Sequence, residues 1–142
     1  VWLVGAHKDR PVSESIVSAS DKAAVNLCGE TSLTDIVDLL SRTRAMVTND
    51  SGLMHIGAAV GTNIIALYGS SSPDYTPPLT SRKVVFCRKL ECSPCFERSC
   101  RYGHYRCLRE LDVDSVETAV EEALQEEPED LVPSNEKESP LK

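Results

Sequence analysis

Apolar residues fall along this chain in short blocks whose spacing alternates between strand and helix. Residues 1–4 (VWLV) form a compact apolar run closed by Gly5, as in a strand covered on both faces. Residues 12–20 are weakly helical, with Ser13 as a candidate N-cap. Residues 23–28 (AAVNLC) read as a second strand, followed by a turn at 29–32. Ser32, with Asp35 three residues on, resembles a capping box, with Asp in place of the usual Glu. Leu33, Ile36, Val37, Leu39 and Leu40 then recur at helical spacing, which predicts a helix to about Thr43. A third strand covers 45–48, and a tight turn covers 49–52. Residues 53–60 (LMHIGAAV) predict a short helix of small residues, suited to close packing on a sheet and stopped by Gly61. Strands follow at 63–68 (NIIALY) and 83–87 (KVVFC), separated by the proline-containing loop 70–80. Residues 91–106 are cysteine-rich and irregular. Val113, Val116, Val120, Ala123 and Leu124 mark a closing amphipathic helix.

Short apolar strands without polar alternation are expected where both sheet faces are covered. Alternated with helices, they predict an α/β fold with a parallel, doubly wound sheet. We expect one domain over 1–126 and an acidic, disordered tail over 127–142. The chain opens on Val1 as if inside a strand, which reads as a fragment lacking its N-terminal part.

Composition narrows the function. The 15 basic residues against 22 acidic ones give a formal charge of −7, which argues against nucleic acid as a partner. No apolar run approaches the ~20 residues of a membrane span, and no signal peptide is evident. The 41% hydrophobic content is that of an ordinary globular domain.

In open α/β sheets, ligands bind outside the carboxyl ends of the strands. Four loops should line that rim, at 5–9, 29–32, 49–52 and 69–72. The third carries the most chemistry. Asp50, Ser51 and Gly52 join a strand to a helix, where unpaired N–H groups and the positive end of the helix dipole favour phosphate. Gly52 admits a ligand close to the backbone, Ser51 adds a hydroxyl, and Asp50 can accept hydrogen bonds from sugar hydroxyls. His55 lies one turn on. The competing reading is an ordinary helix cap and a core histidine, and on local sequence alone it is the preferred one. Neither G-x-G-x-x-G nor G-x-x-x-x-G-K-[ST] occurs, and no Asp-x-Asp pair is present to chelate a divalent ion. Phosphate bound here would be neutralised by the helix dipole and cationic side chains.

The whole stretch changes the balance. Met46-Val47-Thr48-Asn49-Asp50-Ser51-Gly52-Leu53-Met54-His55-Ile56-Gly57-Ala58-Ala59, followed by Ala66-Leu67-Tyr68-Gly69-Ser70-Ser71-Ser72-Pro73-Asp74-Tyr75-Thr76-Pro77-Pro78-Leu79, strongly resembles the bacterial ADP-heptose:lipopolysaccharide heptosyltransferases of glycosyltransferase family 9. Within that family, the segment 72–79 is most similar to the members that add the second heptose of the inner core. The resemblance covers about residues 1–125.

It implies a GT-B enzyme, with two Rossmann-like domains facing across a cleft, of which this chain resembles the C-terminal half. Asp50 would hold heptose hydroxyls, the backbone of Ser51 and Gly52 the diphosphate, and His55 would lie nearby; Asp9 would serve the ribose and Thr31 the adenine pocket. The donor implied is ADP-L-glycero-D-manno-heptose. The acceptor implied is the lipopolysaccharide core, Kdo2-lipid A bearing the first heptose. The reaction implied is inverting and metal-independent, with the catalytic base in the missing N-terminal domain. The location implied is cytoplasmic, with peripheral contact at the inner membrane. Two alternatives stay open: another GT-B sugar-nucleotide enzyme, and a noncatalytic cysteine-rich zinc-binding interaction module.

The third possibility rests on the loop 87–107, which holds Cys87, Cys92, Cys95, Cys100 and Cys107, with Cys28 apart. Cys92 and Cys95 have metal-ligand spacing, and His104 stands three before Cys107. The interval from Cys100 to Cys107 departs from a second C-x-x-C, and the spacing fits neither common ferredoxin pattern. The expectation is no required cofactor, with reduced cysteines preferred over a structural zinc at Cys92, Cys95, Cys100 and Cys107. Lys89, Arg98, Arg101, Arg106 and Arg109 form a local basic patch, suited either to anionic lipopolysaccharide or to plain solvation.

Overall fold

The computed structural model describes residues 1–126; the segment 127–142, read from sequence as a tail, lies outside the described residues. Strand β1 (Trp2–Leu3) leads through a 3-10 turn (His7–Asp9) into α1 (Arg10–Ala19) and β2 (Val25–Asn26). Next come α2 (Leu33–Ser41), β3 (Ala45–Asn49), α3 (Gly52–Ala59), β4 (Asn63–Tyr68) and β5 (Lys83–Cys87). The chain then passes through a long irregular loop to α4 (Arg106–Arg109) and α5 (Val113–Gln125).

Local chemistry explains most boundaries. At α2, the Asp35 amide donates to Ser32 Oγ (3.2 Å) and the Ser32 amide donates back to Asp35 Oδ2 (2.8 Å), the reciprocal cap expected from sequence. The hydrogen bonds from the Ser32 hydroxyl and amide hold the Asp35 carboxyl below its ordinary value. At α5, Asp112 plays the same part by accepting from the Ser115 amide (3.3 Å). Helix α1 starts earlier than expected. Pro11 sits in its first turn, where a missing N–H costs nothing, so the helix begins at Arg10. Ser13 is therefore not a cap but a buried residue inside the helix, with its hydroxyl 3.0 Å from Cys28 Sγ.

Among the described residues every strand pairing is parallel, as a Rossmann-like fold requires, and the strands fall into two pieces. One piece orders β1-β2, with Trp2 opposite Val25. The other orders β3-β4-β5, with Ala45 opposite Asn63 and Ile64 opposite Lys83. Strand β4 is buried on both faces. Ile64, Ala66 and Tyr68 pack with Ile36, Leu40, Met46, Met54 and Ala58 beneath α2 and α3. Ile65 packs on the opposite side with Ala119 and Ala123 of α5. The small residues of α3 serve this closeness: a Cβ at Gly57 would stand 2.9 Å from Met46 Sδ and 3.0 Å from Ile64 Cδ1. No helix among the described residues is long and apolar enough to cross a membrane.

Candidate functional site

The turn after β3 is built as the sequence predicts. Ser51 caps α3 in an extended conformation, but its side chain accepts no cap hydrogen bond. Its hydroxyl instead lies 3.5 Å from Thr48 Oγ1. The first amides of α3 thus lack a side-chain cap, at the end where the helix dipole is positive. Gly52 is exposed, and a Cβ placed on it would meet no atom within 4 Å. A bulky anion can therefore approach this backbone without steric obstruction.

Asp50 is partly buried, and Thr76 Oγ1 donates to its Oδ2 at 2.9 Å. Thr76 is fixed in turn, because the buried Tyr68 hydroxyl donates to its carbonyl oxygen at 2.5 Å. Burial, and then the Asp50 charge, raise the Tyr68 pKa. Tyr68, Thr76 and Asp50 form a relay from the core to the rim. Sequence reasoning quoted Thr76 within a likeness but gave it no role, because its partner lies 26 positions away. His55, one turn along α3, is partly buried and makes no side-chain hydrogen bond among the described residues.

The other two predicted residues sit on the β1-β2 piece. Asp9 is exposed, and its Oδ2 accepts the Ala6 amide at 2.9 Å, closing the 3-10 turn after β1. Thr31 is partly buried, one residue before the Ser32 cap. Their loops touch: the Gly29 amide donates to Gly5 O at 3.0 Å. Gly29 has φ +78°, and a Cβ there would stand 2.9 Å from His7 Cα, so this approach requires glycine. The structure thus brings Asp9 and Thr31 to neighbouring loops, and Asp50, Ser51, Gly52 and His55 to one bend.

The cysteine-rich loop packs on the exit from β4. The amides of Cys95 and Phe96 donate to Ser70 O at 3.0 and 2.8 Å, and Ser93 Oγ donates to Gly69 O at 3.1 Å. Cys92, Cys95, Cys100, Cys107 and His104 line one cavity of about 100 Å³. The thiols are free, and among the described residues no three His, Cys, Asp or Glu side chains form a metal-holding group. Hydrogen bonding from the Tyr105 amide, with those of Tyr102, His104 and Gly103, lowers the Cys100 pKa, whereas burial raises that of Cys107. Two arginines of the basic patch have carboxylate partners: Arg101 with Glu97 (3.3 Å) and Arg106 with Glu110 (2.5 Å).

Comparison with known proteins shows the family and the fold. The chain is 51% identical over 89 residues to lipooligosaccharide heptosyltransferase 2 of Haemophilus influenzae, covering 60% of this chain and 26% of that protein. It is 45% identical over 89 residues to lipopolysaccharide heptosyltransferase 2 of Escherichia coli, with the same coverage. The chain spans about a quarter of the length of these curated relatives. The crystal structure of a family 9 glycosyl transferase from Veillonella parvula superposes with a TM-score of 0.72 at 25% identity, over 87% of this chain and 36% of that one. The E. coli ADP-heptose LPS heptosyltransferase II structure superposes with a TM-score of 0.61 at 34% identity, over 86% of this chain and 37% of that one. The model of glycosyltransferase family 9 (heptosyltransferase) matches residues 1–106, and the chain belongs to that family.

Proposed function

We propose that this chain is the nucleotide-sugar half of a GT-B heptosyltransferase, binding ADP-L-glycero-D-manno-heptose for transfer to the lipopolysaccharide inner core. The observation that carries the reading is the bend at Asp50, Ser51 and Gly52, with uncapped amides beside a carboxylate that Thr76 orients. The names of the relatives support the choice of donor and acceptor.

The chemistry follows from the bend. As the anomeric C–O bond breaks, negative charge grows on the departing diphosphate. Fixed amides at the start of α3 stabilise that charge without reorganising, and one lost donor of this kind typically costs ~3 kcal/mol. Asp50 accepts hydrogen bonds from heptose hydroxyls through the lone pairs Thr76 leaves free. Asp9 and Thr31 serve the ribose and adenine, and His55 flanks the phosphates. An acceptor hydroxyl attacks in line with inversion, deprotonated by a carboxylate base of the other domain. The chain needs no metal for this step. It works at the cytoplasmic side of the inner membrane, where its acceptor is built.

The test is calorimetry on the protein expressed from the whole reading frame that encodes this chain, with ADP and ADP-heptose as ligands. Asp50→Ala is expected to weaken ADP-heptose at least tenfold more than ADP, the loss of about 1.4 kcal/mol of charge-assisted hydrogen bonding. Equal weakening of both would remove the sugar role of Asp50. A preference for UDP-sugars over ADP-heptose would move the protein to another branch of sugar-nucleotide enzymes. The isolated 142 residues are expected to transfer no heptose, and transfer by them would overturn the division of labour.

A further inference from the structure

The stretch from the end of β5 through α4 carries charge opposite to the rest of the chain. Residues 88–109 hold six Lys and Arg against two Glu, whereas the remaining positions hold nine basic and 20 acidic residues. Arg88 and Arg106 share Glu110, and Arg101 pairs with Glu97. Lys89, Arg98 and Arg109 make no ion pair among the described residues, and all three are exposed. A cationic surface left uncompensated on an acidic protein has its own local field, and that field selects an anion.

Aromatic rings are set among these cations. Tyr102 and Tyr105 line one cavity with Arg98 and Arg101. The Arg109 guanidinium stands 5.6 Å from the centre of the Tyr105 ring. Tyr102 is 64% exposed. Arginine offers a planar fork of donors that matches carboxylate and phosphate oxygens, and tyrosine offers an apolar face with a polar tip. Together they suit a sugar that carries acidic groups. A bare inorganic ion has no use for the rings, and a flat lipid surface does not enter a cavity of about 100 Å³.

The loop also reaches the rim. Gly69 and Ser70, at the exit from β4, line the same cavity. The Cys95 and Phe96 amides both donate to Ser70 O, and these bonds hold Phe96 in a left-handed backbone conformation, with φ +56°. The Phe96 ring meets the Tyr75 ring edge-on at 5.6 Å. Tyr75 precedes Thr76, whose hydroxyl donates to Asp50 at 2.9 Å. The cationic surface therefore flanks the Asp50 bend and is fastened to the loop that orients it.

We infer that this surface, with Arg98 and Arg109 as its principal cations, binds the carboxylate and phosphate groups of the acceptor glycolipid beside the donor site. The inference rests on the proposed function, which makes the acceptor a lipopolysaccharide core; Kdo is a sugar acid and lipid A is phosphorylated. The donor diphosphate has its own partner in the amides at the start of α3, so the two anions do not compete for one cation cluster. An acceptor of this kind would otherwise be repelled by the excess of carboxylates elsewhere on the chain.

Steady-state kinetics test it, on the protein expressed from the whole reading frame that encodes this chain, with an acceptor freed of its acyl chains so that no membrane is present. Arg98→Glu with Arg109→Glu is expected to raise the acceptor KM about tenfold, while kcat and the affinity for ADP-heptose stay unchanged. Arg98→Lys with Arg109→Lys keeps the charge and is expected to recover most of that loss. Raising NaCl from about 50 to 300 mM should raise the acceptor KM of the wild type more than that of the charge-reversed variant, because salt screens the pairs the variant has lost. Three results would overturn the inference: an unchanged acceptor KM; an effect seen with acylated acceptor in vesicles that vanishes with the deacylated one, which makes the surface a membrane contact; or an equal weakening of ADP-heptose, which makes the loop part of the donor site. Wild-type protein that binds no ADP-heptose strikes the donor reading and this inference together, whereas an unchanged acceptor KM with donor binding intact strikes this inference alone.

Discussion

Thr76 decides how Asp50 can be used. Its hydroxyl occupies one carboxylate oxygen and leaves the other for a ligand, and Tyr68 holds Thr76 from behind. Thr76→Val removes one hydrogen bond to a charged group, worth about 2 kcal/mol, and should raise the KM for the sugar nucleotide several-fold with a smaller effect on ADP affinity. Steady-state kinetics of the complete enzyme would check it. The cysteines make a second prediction. Amide hydrogen bonds favour the Cys100 thiolate, while burial favours the Cys107 thiol. Falling pH should therefore quench alkylation of Cys107 before that of Cys100, as read by mass spectrometry after iodoacetamide pulses from pH 9 to 6. Asp50, Ser51, Gly52 and His55 were legible as a group because they lie within six consecutive positions. The relay behind them was not, since nothing in linear spacing brings residue 76 to residue 50.

At the scale of elements, sequence reading succeeded where side chains close on their own neighbours. The Ser32–Asp35 cap and the apolar runs of β4 and β5 are local facts, and they fold as local facts. It failed at α1, where the helix was expected only from residue 12 although the first helical turn needs no N–H from Pro11. It also missed α4, four residues too few to show a period. The choice of glycine in α3 is tertiary: only the packed sheet reveals that Met46 and Ile64 lie against position 57. Gly57→Val should cost about 2 kcal/mol by overpacking, seen as a lower urea midpoint with an unchanged slope. The Asp35 cap predicts an acid limb. Its folded-state pKa is depressed, so its contribution is present above the ordinary carboxylate pKa and lost as pH falls through the folded value. Ser32→Ala should flatten that limb in thermal melts below pH 4.

Across the whole molecule, the parallel α/β class was readable because covered strands carry uninterrupted apolar runs. The division into two sheet pieces was not, because a strand's neighbours are set by distant chain. The exposure of Trp2 and Val47 follows from that division, since both line the cavity between the two pieces. Their apolar surface should bind the dye ANS, and Trp2→Ser together with Val47→Ser should remove most of that signal. Fluorescence titration at equal molarity measures this.

The fastening of the cysteine-rich loop to Gly69 and Ser70 has a mechanical corollary. The loop clasps the same stretch of backbone that, a few residues later, presents the threonine steadying the acidic side chain. Grafting a loop of different length onto this scaffold would loosen that clasp and shift the threonine from the acidic side chain.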